Sequence, residues 1–179
     1  HASVSDPANA PKSPIQIVTP HQTTFAVEDE DLRDELAHLA GEPIHLMHLG
    51  RGAYDSSAGI SIISMTTIKT LSEIVGIALD PARFRANLVI ETDEQNPFPE
   101  QTWLGKTLIL GSHADAPRVR IIRPIPRCMI VNLDPATVQQ HPAVLRAITH
   151  HNQQWAGVYA VPESVGTLYN GDTIFQSTA

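Results

Sequence analysis

Cysteine is almost absent from this 179-residue chain. Cys128 is the one example, so an intrachain disulfide is impossible and a small disulfide-framed secreted fold is excluded. A single thiol suits a reducing, cytoplasmic setting, and Cys128 has to be explained as packing, ligand or nucleophile. Lysine is scarce as well, with three (Lys12, Lys69, Lys106) beside nine arginines and a formal net charge of -7, which argues against nucleic acid as a partner. No apolar run approaches the ~20 residues of a membrane helix, and no basic segment followed by an apolar one opens the chain. A start at His1 rather than methionine is expected of a processed or recombinant fragment. Also missing are a haem motif, an iron–sulfur cysteine set, a dinucleotide glycine fingerprint, a Gly-x-Ser-x-Gly elbow and a Cys-His-Asn pattern. What remains is 42% hydrophobic, enough for one soluble domain with a core of its own.

Residues 1–14 are rich in Ala, Ser and Pro without hydrophobic period and read as a flexible tail; residues 15–179 read as a single domain. Ile15–Thr19 and Thr23–Val27 are short strand candidates bounded by Pro14 and Pro20. The acidic run from Glu28 to Asp31 opens a helix with Leu32, Leu36 and Leu39 on one face and Gly41 as its stop, since carboxylates offset the unpaired amides of a first turn. Pro43–Leu49 is a further strand candidate, followed by a small-residue loop over residues 51–59. Ile60–Ile63 is β-like, and Ser64 caps a helix that buries Met65, Ile68, Leu71 and Val75 and ends near Gly76. The second half is mostly strand: 88–92, 107–110, 119–123, 129–133, 156–161 and 167–175, the last interrupted at Asn170-Gly171. One helix over about 142–151 follows a proline in its first turn. Many short strands with few helices predict an α+β, predominantly β fold, a mixed barrel with peripheral helices.

Two segments carry candidate chemistry. In Arg83-Phe84-Arg85-Ala86-Asn87, an extended backbone places Arg83, Arg85 and Asn87 on one side, where two planar guanidinium forks and an amide suit a phosphate or a polar heterocycle. The same residues also suit an edge strand with solvated charges, and spacing alone favours that reading. Cys128 follows Arg127 and lies near Arg123; cationic neighbours favour a thiolate and soft-metal ligation, while a free cysteine is otherwise a small buried hydrophobe. The two readings stand level on these residues. The nine histidines make no zinc spacing with Cys128 or with acids, and His113 beside Asp115 is the one placed to approach a site from a loop.

Taken in order, the segment 83–91, Trp103-Leu104-Gly105, Arg127-Cys128, Asp134-Pro135, Gly157-Val158-Tyr159, Gly166 and Gly171-Asp172 resemble the MOSC domain, named after the carboxy-terminal domain of molybdenum cofactor sulfurase. The likeness runs from about Tyr54 to Phe175, and within that family the chain looks closest to the amidoxime-reducing components and their bacterial counterparts. The resemblance implies a molybdenum-pterin cofactor in a β-barrel-like fold, with Cys128 as metal ligand and catalytic centre. It further implies that Arg83, Arg85 and Asn87, together with the Asp55-Ser56-Ser57 loop, contact the cofactor; loop hydroxyls and amides are suitable phosphate donors.

The implied activity is reduction of N-hydroxylated or N-oxygenated small molecules, in which the N–O bond breaks and its oxygen leaves as water after two electrons and two protons arrive. Since the chain has no electron carrier of its own, a separate haem or flavin/iron–sulfur protein is the expected donor. The alternative is a non-enzymatic carrier of the cofactor or of sulfur; a third reading is a binding domain that has kept the fold without the metal. Pyridoxal phosphate is a poor match with so few lysines. Two departures from the family pattern stand out: Val131 and Asn132 follow the cysteine where threonines are usual, and most of an amino-terminal β-domain is not visible, the Lys12-Ser13 pair being only a superficial likeness to a Lys-Ser step there.

Overall fold

The computed structural model describes residues 2–4, 14–47 and 59–177, and the chain divides into two compact units, His1–Arg51 and Gly52–Ala179. In the first unit, β1 (Ala2–Val4), β2 (Ile15–Val18) and β3 (Thr24–Ala26) form an antiparallel sheet in that order. Helix α1 (Glu30–Ala40) follows, opened by Glu30 and Asp31 and closed at Gly41 in the left-handed conformation. Of its leucines, Leu32 is buried, Leu36 half-buried and Leu39 exposed, so the apolar face is narrower than its spacing suggests. Residues 43–47 form no strand; Leu49, the end of that candidate, lies outside the described residues.

The second unit has the α+β, predominantly β architecture expected. Strands β4 (Ile60–Ser64), β5 (Leu88–Ile90), β6 (Thr107–Leu110), β7 (Arg118–Pro126), β8 (Trp155–Ser164) and β9 (Ile174–Gln176) build a curled half-barrel in the order β5-β4-β8-β7-β6-β9. Only β4 and β5 run parallel, joined through α2 (Met65–Val75); every other pair is antiparallel. Helix α2 starts where Ser64 accepts from the Thr67 amide, satisfying an otherwise orphaned donor. Helix α3 (Ala143–Asn152) packs with α2 on the outside of the sheet.

Neighbouring Ile62 and Ile63 are both fully buried because β4 has a core on each face. Ile63 joins Ile68, Leu71, Phe84, Val144 and Ile148 under the helices, while Ile62 joins Trp103, Leu108, Val119, Ile121 and Val158 inside the curl. That explains why two isoleucines stand side by side in this strand where alternation would give one. In β8 a bulge performs the same division: Pro124 pairs with Val158 but Pro126 with Trp155, leaving one extra residue around Gly157. Ala156 therefore packs under the helices and Val158 inside the curl, although both lie on one parity. Two expected strands change form. Residues 129–132 make a 3-10 turn rather than a strand, and of 167–175 only the end, within β9, is extended.

Candidate functional site

Two segments meet beside β8. The first is a 3-10 turn, Pro81–Phe84, started by Asp80, whose carboxylate accepts from the Ala82 amide, with Pro81 in the first-turn position where a missing N–H costs nothing. The turn ends at Arg85, held left-handed at φ 49° with its amide on the Ala82 carbonyl. The run from Arg83 to Asn87 is thus a turn entering a strand rather than the extended segment expected. Asn87 is tied to β4: its Oδ1 accepts from the Ser61 amide and hydroxyl, both at 2.8 Å, leaving its amino group for other partners.

The second segment leaves β7 as Pro126-Arg127-Cys128, continues through the 3-10 turn and ends at Asp134. Asp134 accepts at Oδ1 from the amides of Ala136 and Thr137 and from the Thr137 hydroxyl. These bonds, chiefly those from Thr137, hold its carboxyl below the usual aspartate range, with Arg83 adding to the effect.

The arginines cross between the segments. Arg83, 3% exposed, donates from Nη1 to the Val131 carbonyl and from Nη2 to Asp134 at 3.0 Å. Arg127, also buried, donates from Nη1 to the Phe84 carbonyl and from Nε to the Ala156 carbonyl, both at 2.7 Å. Desolvation lowers the Arg127 guanidinium to about 10, while the nearby Tyr159, Glu100 and Cys128 pull it back up, so at neutral pH it is still a cation. Two of these buried donors have no partner among the described residues: Arg83 Nε and Arg127 Nη2.

Between the segments lies a cavity of about 780 Å³ whose wall includes Ser61, Arg83, Arg85, Asn87, Arg127 and Cys128. Cys128 is exposed and Arg85 is exposed, while Tyr159 stands in the same wall with the Arg123 guanidinium 4.5 Å from its ring centre. The sequence-based candidates Arg83, Arg85, Asn87 and Cys128 are therefore brought together. Asp55, Ser56 and Ser57 lie outside the described residues. His113 is elsewhere, its Nε2 3.4 Å from Asp172 and its ring edge-on to Tyr169.

Sequence reasoning missed Arg127 as a site residue in its own right, and missed Glu100 beneath it. The placement of Arg127 between prolines and the thiol was the available signal for the first; Glu100 gave none. A second cavity, about 710 Å³ between the edges of β5 and β9, is lined by Glu91, Glu94 and Asp172 and, among the described residues, by no thiol and no basic side chain. An anion is thus drawn to the first cavity and repelled from the second.

Chemically, the first cavity offers a soft sulfur donor, three guanidinium groups and a carboxamide, two of its arginine nitrogens being buried donors without partners among the described residues. This set fits a large polar group carrying a phosphate and a thiophilic metal. Among the described residues no three His, Cys, Asp or Glu side chains converge as a metal cluster.

The MOSC domain family profile matches residues 43–175. The chain belongs to the MOSC domain family. That family is associated with the molybdenum cofactor. Among solved structures this MOSC chain is similar to the YuaD protein from Bacillus subtilis, with a TM-score of 0.50 and 21% identity over 64% of this chain and 61% of that one. It thus spans about three fifths of that relative, and the likeness carries the fold alone. No curated protein matches the chain.

Proposed function

We propose that the cavity around Cys128 binds a molybdenum-pterin cofactor and that the domain reduces N-hydroxylated or N-oxygenated small molecules, as the amidoxime-reducing members of the family do. The observation that carries the reading is the convergence on one cavity of the exposed Cys128 thiol, Arg85, Asn87 and the two crossed, buried arginines. When bound, the cofactor supplies a metal that exchanges oxygen and electrons with substrate. Cys128 is the thiolate ligand. Arg85 and Asn87 orient the polar ring system, and Arg127 and Arg83 hold the cavity wall with positive charge ready for an anionic group. Met129 and Ile130, 60% and 40% exposed beside Cys128, give the substrate side an apolar rim. Electrons come from a separate haem or flavin/iron–sulfur protein.

The exposure of Cys128 at an open cavity favours one second reading, a carrier that accepts cofactor or sulfur and passes it on. The test is to produce the chain and a Cys128→Ala variant in a cofactor-competent host, measure molybdenum and pterin, and assay amidoxime reduction with an artificial donor. Molybdenum in the parent, lost in the variant, with turnover, is the expected result. No molybdenum in either protein sinks the reading, and cofactor without turnover moves the assignment to the carrier. Absence of cyanide-releasable sulfur after treatment with a persulfide donor removes sulfur carriage.

A further inference from the structure

We propose that Glu100 is the positioning residue for Arg127, acting on it through a single peptide group; the inference rests on the reading of the Cys128 cavity as a cofactor site. Glu100 lies in the 3-10 turn Pro99–Trp103 and is completely buried. Its carboxylate accepts from the Ser64 hydroxyl at 2.7 Å, from the Thr67 hydroxyl at 2.7 and 2.8 Å to its two oxygens, and from the Gly157 amide at 2.9 Å. No guanidinium or ammonium group hydrogen-bonds it among the described residues. Three neutral donors satisfy its lone pairs, and the countercharge comes from Arg127, on whose guanidinium Glu100 acts electrostatically.

The Gly157 N–H and the Ala156 carbonyl belong to the same peptide unit. That unit donates to Glu100 at one end and accepts from Arg127 Nε at the other. A peptide polarised from both ends makes each bond stronger than it is alone, so the carboxylate reaches the guanidinium through the backbone as well as through space. The bulge at Gly157 makes this possible by turning its N–H away from the β7–β8 ladder. Arg127 Nη2 lies directly over Gly157, at 3.0 Å from where a side-chain carbon would stand. Glu100 thereby fixes which nitrogens of Arg127 are consumed and leaves Nη2 without a partner among the described residues.

An isosteric Glu100→Gln change keeps the acceptor for Gly157 and removes the charge. The first measurement is hydrogen exchange of the Arg127 Nε–H by ¹⁵N NMR on the cofactor-free chain, with the Ile121 amide, in the β6–β7 contact, as an internal reference for the fold. Exchange at Nε–H is expected to rise about tenfold or more in Glu100→Gln while Ile121 is unchanged. Glu100→Asp keeps the charge but withdraws it by one methylene; it is read the same way and is expected to loosen Nε–H too, which keeps the proposal open to refutation if the glutamine variant does not fold. Unchanged Arg127 exchange in the folded variants overturns the proposal.

The second measurement is the rate of pterin loss from the loaded protein in Glu100→Gln, Arg127→Gln and the double variant. The expected result is that the double variant loses pterin no faster than Arg127→Gln alone, because one residue acts through the other. Multiplying effects overturn it. A chain that never takes up pterin defeats the cofactor reading and leaves the exchange measurement to decide the role of Glu100.

Discussion

Replacing Gly157 with alanine tests the site architecture most directly. The residue sits at φ 84°, a conformation in which an L side chain costs about 1–2 kcal/mol. Its new Cβ would stand 2.7 Å from the Ile62 carbonyl oxygen and 3.0 Å from Arg127 Nη2. The guanidinium is pinned by two hydrogen bonds, and Ile62 belongs to β4, which is paired on both sides, so neither neighbour yields freely. Overpacking of this kind adds roughly 1–3 kcal/mol, and the reduced freedom of the unfolded chain returns about 0.4–1. The expected net loss is about 1–4.6 kcal/mol, or a fall in Tm of roughly 2–18 °C for a domain of this size. Gly76→Ala is the internal control: it has nearly the same φ, 76°, but nothing within 4 Å of the added carbon. It should cost only about 1 kcal/mol. Urea unfolding of both variants separates backbone strain from collision. A Gly157→Ala loss no larger than that of Gly76→Ala would refute the collision, and with it the close approach of β4, β8 and Arg127 described above.

Cys128→Ala should leave stability within about 0.5 kcal/mol of the parent by urea unfolding, because the side chain is exposed, while abolishing molybdenum content. A large loss of stability would return Cys128 to a packing role. Asp134 has its carboxyl held below the ordinary value of 3.8, so its contribution is complete above that value and disappears as pH falls through the lower, folded one. An Asp134→Asn variant should therefore melt lower than the parent by a constant margin from neutrality down to about pH 4, and the margin should close in stronger acid. A margin that persists undiminished in strong acid would show that the carboxylate charge is not what holds Arg83. For the crossed arginines, Arg83→Met and Arg127→Met should be markedly non-additive in thermal unfolding, since each holds the segment that carries the other; additive losses would show two independent contacts.

Local rules made much of the fold legible. Ser64 and Gly76 bracket α2 as written in the chain, and Glu30, Asp31 and Gly41 bracket α1, because caps and terminal charges act within a turn of their residues. The run Met129–Leu133 reads as a strand by composition, yet among the described residues it makes no ladder, only an isolated bridge from Leu133 to Gln140. Its amides instead follow a 3-10 turn, and Asn132 uses its side chain to accept from the Leu145 amide of α3. For Arg83 to Asn87 the telling signal was Asp80-Pro81, an Asx cap followed by a first-turn proline, which starts a helical turn just where two arginines suggested extension. Glu100 and Arg127 were illegible in a stricter sense. A charged residue in sequence looks the same whether it is solvated or buried, and these two are buried by partners 57 residues away at Gly157 and 43 away at Phe84.

Why the cavity wall uses two buried arginines follows from what each one reads. An apolar pair of similar volume would pack between the segments at lower desolvation cost, but it would bind them at any rotation that filled the space. A guanidinium fork is satisfied only by acceptors in its own plane. Arg83 therefore fixes the direction of the Val131 carbonyl and the Asp134 carboxylate, and so the path of the chain after Cys128. Arg127 fixes the Phe84 carbonyl, and so the left-handed turn that projects Arg85. Each segment carries the arginine that orients the other. The backbone at Cys128 and at Arg85 cannot shift without disturbing a buried charge, so the fold sets where the two exposed side chains start from before any ligand arrives.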